Sequence, residues 1–185
     1  MKKKTNWWVI LGASALGICL LGCLGIVVVV YFAPNIYEYA LENSSLEIGS
    51  AAPDFELIAL TGETIRLSQF RGQPVLLSFG ATWCPDCRAE APLLEEVHKS
   101  QPDLIVLLVD IQEEAGIVQG FADEFGITHP ILLDQDGKVS ERYQVFAIPT
   151  ELFIDKQGIV RAKIIEKVTS QLLAEYLPRI GIDSR

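Results

Sequence analysis

Between Asn6 and Tyr37 the chain carries no charged residue, and the 26 residues Trp7 to Phe32 are almost wholly apolar. No other feature limits the fold so sharply. About 20 apolar residues cross the hydrocarbon core of a bilayer as a helix, and 26 leave room for tilt. Lys2, Lys3 and Lys4 precede the run, Trp7 and Trp8 open it, and Tyr31, Tyr37 and Tyr39 lie at its far end. Basic residues stay on the cytoplasmic side and aromatic rings settle at the interfaces. The pattern predicts a cytoplasmic tail (residues 1–6), a transmembrane signal anchor (7–32), a tether (33–46) and one domain (47–185) on the far side of the membrane from the cytoplasm. Fourteen tether residues reach at most ~50 Å, so the domain stays near the bilayer. A cleaved signal peptide has a shorter apolar core and a small-residue cleavage site, and Val27-Val-Val-Val-Tyr-Phe32 offers none. Leu20-Leu-Gly-Cys23 resembles a lipidation signal, but nine more apolar residues follow it. Cys19 and Cys23 share a helix face as small apolar residues, and Ala13 with Gly17 forms a small-xxx-small pair.

The remainder reads as a soluble acidic domain. Three of the 15 basic and two of the 24 acidic residues precede position 45, leaving 12 against 22, a net charge of −10. That balance argues against nucleic acid as a partner, since phosphate is met by basic patches. The content of Leu, Ile, Val and Phe argues against disorder.

Apolar periodicity alternates between strand and helix. Residues 55–60 and 64–67 around Thr61-Gly-Glu63 predict a hairpin. Residues 75–79 and 104–109 predict buried strands, and 130–134 a short one. Helices are expected over 86–100, with Pro92 kinking the first, over 113–125 up to Gly126, over 137–143, and over 169–180 with Thr169 as N-cap. A second hairpin joins 151–155 to 159–165. This order predicts an α/β domain, a central mixed sheet with helices on both faces.

Cys84-Pro-Asp-Cys87 sits where a buried strand gives way to a helix. The first cysteine of such a pair feels the unpaired amides and positive end of the helix. That favours the thiolate, lowering its pKa from ~8.5 into a range of ~3.5–7.5 in such motifs. The thiolate is the attacking species in disulfide exchange. Cys84 is the expected nucleophile. Cys87, one turn on and expected to be the more buried, is the expected resolving thiol. A zinc site needs four ligands, yet the other cysteines lie in the apolar run, and His98 and His129 read as separate surface residues. A purely structural disulfide closing so short a loop contributes little by chain entropy.

The block Phe79-Gly-Ala-Thr-Trp-Cys-Pro-Asp-Cys-Arg-Ala-Glu-Ala-Pro92 resembles the active site of membrane-anchored, extracytoplasmic thioredoxin-like thiol–disulfide oxidoreductases of bacteria. These form the TlpA/ResA-like group within the AhpC/TSA–redoxin superfamily. Ala52-Pro-Asp-Phe-Glu-Leu57 and Ala147-Ile-Pro-Thr150 add to the likeness, which runs from about residue 47 to 180. The resemblance implies a thioredoxin-like fold and no cofactor. It also implies a cis Pro149 beside a redox-active Cys84–Cys87 disulfide, and client contacts at Trp83, Pro85, Ile148 and Pro149. It further implies reduction of extracytoplasmic protein disulfides, for example on apocytochrome c, with electrons from a membrane thiol donor.

Two positions depart from the thioredoxin pattern. Ser78 stands where thioredoxins carry a buried acid, the usual proton acceptor for the second cysteine, and Gly80 stands where most relatives have Trp. Anchored relatives often place a Glu after the next strand, which makes Glu113 the candidate base, with Glu114 its neighbour in register. Asp86 reads as a first-turn helix acid. Peroxiredoxins share the Ala-Pro-Asp-Phe block, but their Pro-xxx-Thr-xx-Cys frame fits neither Cys84 nor Cys87. A non-enzymatic assembly factor on the same fold is the remaining alternative.

Overall fold

The computed structural model describes residues 46–182. The expected membrane anchor, most of the tether, Cys19 and Cys23 lie outside the described residues. Among the described residues no helix is long and apolar enough to cross a membrane.

Seven strands form one mixed sheet: β1 (Glu56–Ala59), β2 (Thr64–Arg66), β3 (Val75–Gly80), β4 (Ile105–Ile111), β5 (Ile131–Asp134), β6 (Thr150–Ile154) and β7 (Val160–Ile164), in spatial order β2-β1-β5-β4-β3-β6-β7. Strands β3, β4 and β5 run parallel, while β1 and β6 flank them antiparallel. The helices are α1 (Pro85–Ser100), α2 (Ala115–Phe125), α3 (Lys138–Arg142) and α4 (Ser170–Tyr176). Every strand and helix expected of the domain is present among the described residues. Helix α1 continues through Pro92 without a break. The expected last helix divides: α4 ends at Tyr176 and a 3-10 turn covers Leu177–Ile180. Pro178 explains the change, because it has no N–H to donate back along an α-helix. Thr169 caps α4, its hydroxyl oxygen accepting from Leu172 N–H at 3.2 Å. Gly126 closes α2 in the left-handed region, φ +62°.

Strand β3 is buried along its whole length, which is why it reads as a continuous apolar run. Its side chains alternate between two cores. Val75, Leu77 and Phe79 join Leu107, Val109, Leu132, Leu152 and Tyr143 on one face. On the other face Leu76 joins Leu94, Val106, Phe153, Leu173 and Leu177, while Leu108 meets Ala91, Val118 and Phe121. Fully burying each such side chain contributes about 1.5–3 kcal/mol, so both faces are pinned and slippage of β3 by one residue is strongly opposed. Ser78 and Gly80 fall on the second face, beneath α1.

Candidate active site

The sharp turn from β3 into α1 makes Cys84 the N-cap of the helix, with extended backbone angles of φ −78° and ψ 119°. Its sulfur takes the place of a capping hydroxyl: Cys87 N–H points at Cys84 Sγ at 3.2 Å. Pro85 occupies the first turn, where its missing N–H costs nothing. Cys84 and Cys87 are joined as a disulfide with Cα atoms 5.3 Å apart. The expected difference in burial is not found: Cys84 is 4% exposed and Cys87 6%. The helix-capping position tucks Cys84 against the Pro149 loop, whose Ile148 carbonyl oxygen lies 3.9 Å from Cys84 Sγ. The Ile148–Pro149 peptide is cis, and Thr150 Oγ1 donates to Ala147 O at 2.7 Å, closing that turn.

Apolar residues flank the disulfide: Trp83, 69% exposed, and the exposed Pro85 adjoin Cys84 in the chain, and Ile148, whose carbonyl faces Cys84 Sγ, is half-buried. Asp86 is exposed with Lys167 Nζ 3.8 Å away, in keeping with a first-turn helix acid.

Behind the disulfide the environment is acidic. Glu113 is half-buried and both its oxygens hold the turn: Oε2 accepts from Thr82 N–H at 2.5 Å and Oε1 from Thr82 Oγ1 at 2.7 Å. Glu114 is exposed and caps nothing with its side chain. Other carboxyls share a cavity with Cys87. A cavity of about 10 Å³, room for about one water molecule, is lined by Cys87, Glu90, Asp110 and His129 with Ala81, Leu108 and further apolar groups. Asp110, at the end of β4, is buried, and its carboxyl pKa is pushed up to about 8, first by burial and then by the neighbouring Glu113 carboxyl with which it hydrogen-bonds. Glu90, one turn after Cys87, is raised to about 7, chiefly by burial, against the Val168 N–H that it accepts at 2.9 Å. Glu151, opposite Ser78 on β6, is fully buried, and burial with the nearby Glu90 carboxylate holds its pKa well above the ordinary carboxylate range.

These three buried acids were not expected as site residues. The signal available for Glu90 is its i+3 spacing from Cys87, which places both on one face of α1. Asp110 and Glu151 interrupt otherwise apolar strands. His129 also departs from expectation. It is buried, its ring 5.8 Å from that of His98, and burial lowers its pKa to about 4 against the opposing pull of Glu95. The bend before β5 turns it inward, where Glu95 of α1 anchors the adjacent Thr128 through its N–H and hydroxyl at 2.8 and 2.5 Å. Among the described residues no group of three or more His, Cys, Asp and Glu is arranged to hold a metal ion.

A nucleophile capping a helix, a second sulfur within bonding distance, an open apolar rim and buried acids behind it can carry out thiol–disulfide exchange. The comparisons with known proteins agree. Residues 48–163 match the model of the AhpC/TSA family. A thiol-disulfide oxidoreductase ResA of Geobacillus kaustophilus is 36% identical over 146 residues, 77% of this chain and 83% of that protein. The thioredoxin-like protein YneN of Bacillus subtilis is 34% identical over 163 residues, 85% of this chain and 95% of that protein. Among solved structures, a putative thiol:disulfide interchange protein DsbE from Chlorobium tepidum superposes with a TM-score of 0.69 at 27% identity, covering 74% of this chain and all of that one.

Proposed function

Since the chain belongs to the AhpC/TSA family, with a thioredoxin-like domain and thiol–disulfide oxidoreductase relatives, we propose that Cys84 is its attacking thiol and Cys87 its resolving thiol. The observation that carries this is the Cys87 N–H aimed at Cys84 Sγ at the start of α1. Amide hydrogens pointing at a sulfur favour its thiolate over its thiol. The Cys84 thiolate attacks a client disulfide, forming a mixed disulfide and expelling one client sulfur. Cys87 then attacks Cys84 Sγ, closing the Cys84–Cys87 bond and releasing the second client sulfur.

Trp83, Pro85, Ile148 and Pro149 form the client contact. Trp83 and Pro85 offer exposed apolar surface beside Cys84, while half-buried Ile148 and buried Pro149 shape the turn whose backbone can pair with an extended client segment. The proton leaving Cys87 needs an acceptor. Asp110, raised to about 8, already holds its proton at neutral pH, whereas Glu90, raised to about 7, is poised to take one. Glu113, the candidate base from the sequence, serves through Asp110 and by fixing the turn at Thr82.

The direction of flow is reduction of the client. Asp86 in the first turn places negative charge near Cys84, which opposes the thiolate and makes the couple less oxidising. The uncharged run at residues 7–32 and the lysines before it support a single-pass protein of the bacterial cytoplasmic membrane with its domain outside. Its electrons then come from a membrane thiol donor, and its clients are extracytoplasmic proteins such as apocytochrome c. The test has two arms. The reduced protein is expected to reduce the disulfides of insulin with loss of activity in Cys84→Ser, and to turn over peroxide far more slowly. A reporter fused after residue 45 is expected to be active only outside the cytoplasm. Efficient peroxide turnover, or a reporter active in the cytoplasm, overturns the corresponding half of the reading.

A further inference from the structure

Lys163 stands on β7, at the edge of the sheet and opposite Leu152 of β6, yet its ammonium is turned onto the domain. The residue is half-buried, and Nζ donates to two backbone carbonyls from another part of the chain, Gln144 O at 2.8 Å and Tyr143 O at 3.0 Å. Among the described residues no carboxylate pairs with it, and no backbone N–H donates to either carbonyl. The two carbonyls directly follow α3, at the end of a helix where carbonyls are left without an amide donor. A basic side chain of the helix itself often meets that need. Here the cation comes from a strand 19 and 20 residues further along the chain.

Tyr143 and Gln144 are the base of the loop that reaches Cys84. Tyr143 is fixed: its ring is fully buried against Phe55 and Phe79, and its hydroxyl donates to Pro53 O at 2.5 Å. The chain changes direction at Gln144, whose φ of +51° lies in the left-handed region that a side chain such as Gln rarely adopts. Residues 145–149 then lead past Ile148, whose carbonyl oxygen is 3.9 Å from Cys84 Sγ, into β6 at Thr150. Phe146, midway along this loop, is 88% exposed. Pairing of β6 with β3 holds the far end of the loop, so its aim depends on the near end, where Lys163 holds the turn. For stability alone a lysine suits this place poorly. Ordering a long side chain and partly desolvating an ammonium both cost free energy.

We propose that Lys163 is a positioning residue for protein clients: by holding the Tyr143 and Gln144 carbonyls it aims the 145–149 loop, with the Ile148 backbone and the exposed Phe146, at an extended client segment beside Cys84. This deepens the exchange reading above and rests on it. The partner is an extended segment of a disulfide-bonded protein that carries an apolar side chain near its cysteine. Its backbone pairs with the loop, and its apolar side chain meets Phe146, so that main-chain bonds give affinity and the side chain gives selectivity. A small disulfide has neither feature and meets only the Cys84 sulfur. Lys163 itself touches neither the client nor the reacting sulfurs, and it acts through the loop.

The test compares two substrates. The reduced full-length protein is mixed in stopped flow with insulin, as the protein client, and separately with a small aromatic disulfide. Lys163→Met keeps an apolar stem of similar length and removes the donors. Its second-order rate is expected to fall about 5–10-fold on insulin and by less than about two-fold on the small disulfide, the lower end of what charge-assisted hydrogen bonds contribute. Lys163→Arg keeps a cation that can donate to both carbonyls and is expected to recover most of the rate on insulin. Hydrogen exchange reads the loop itself: the Val145 N–H, bonded to Ser140 O at 3.0 Å, is expected to exchange faster in Lys163→Met, with the amides of β3 and β4 unchanged. Circular dichroism checks folding, and if Lys163→Met does not fold, Lys163→Gln is read in the same way. Equal loss on both substrates, or unchanged rates on both, overturns the proposal. A wild-type protein that reduces the small disulfide and not insulin overturns the exchange reading instead.

Discussion

Asp110→Asn is expected to stabilise the domain at neutral pH while doing little for it under mildly acidic conditions. Asp110 ends an apolar strand and is 3% exposed, and its pKa is raised from 3.8 to about 8. A raised acid binds its proton more tightly folded than unfolded, so its contribution is full below pH 3.8 and is lost as pH rises through about 8. At pH 7 the unfolded chain has ionised this group and the folded domain has not. The loss spans about three of the four units, about 4 kcal/mol at 1.36 kcal/mol per unit. Asn cannot ionise, so the loss disappears, less about 1 kcal/mol for an altered hydrogen bond to Glu113. A net gain of about 2–3 kcal/mol at pH 7 is expected, falling toward zero near pH 4. Equilibrium urea unfolding of both proteins at a series of pH values reads the difference directly, and comparing variant with wild type cancels the similar slopes from Glu90 and Glu151. A difference between the two proteins that stays constant from pH 4 to 8, or a variant less stable at pH 7, would refute the claim that Asp110 is held protonated by burial.

Three further outcomes follow from the same groups. Glu90→Gln is expected to slow resolution of the mixed disulfide by about 10–100-fold, as loss of general-base help does, in stopped-flow reduction of a model disulfide, with alkylation of Cys84 nearly unchanged; an unchanged resolution rate removes Glu90 from the reaction. His129, lowered to about 4 by burial, is neutral in the folded domain, so its contribution is present above its unfolded pKa of 6.5 and is lost as pH falls through about 4. His129→Phe is therefore expected to flatten the acid limb of the stability curve between those values, and a limb that keeps its slope argues against a neutral buried ring. The potential of the Cys84–Cys87 couple at pH 7 is expected at roughly −200 to −290 mV, the range of thioredoxin-like reductants; a value above about −150 mV in a glutathione titration favours an oxidase role.

Much of the domain was legible because its signals are local. The continuous apolar run at Val75 to Phe79 reflects burial on both faces, and Gly126 and Thr169 mark helix ends by their own backbone and side-chain chemistry. The paired cysteines point to their reaction by their spacing together with their place where a buried strand gives way to a helix. What the sequence hid depends on contacts between distant segments. Glu151 looks like the polar start of a strand until β6 is paired with β3 and it meets Ser78, 73 residues away. Asp110 looks like the polar end of β4 until the α1 turn closes over it. Glu90 lies in a helix with acidic and basic neighbours and so resembles a solvated position, although it is 2% exposed. Periodicity identifies an apolar face but does not say which polar residue is enclosed within it. Glu113 is a candidate because similar anchored proteins place a Glu after this strand, and its oxygens are engaged by Thr82, a contact that only the folded turn creates. The relative burial of Cys84 and Cys87 likewise depends on the Pro149 loop, which covers Cys84 from more than 60 residues away.

The most direct measurement of the central claim is trapping of the exchange intermediate. The full-length Cys87→Ala variant, reduced and mixed with a disulfide-bonded protein client, is expected to accumulate a covalent complex. Peptide mass spectrometry is expected to place the client cysteine on Cys84, and a dithiol is expected to release it. The Cys84→Ala variant is expected to accumulate little. A complex formed through Cys87 in preference to Cys84, or no complex in Cys87→Ala while that variant's Cys84 remains alkylatable, would contradict the account.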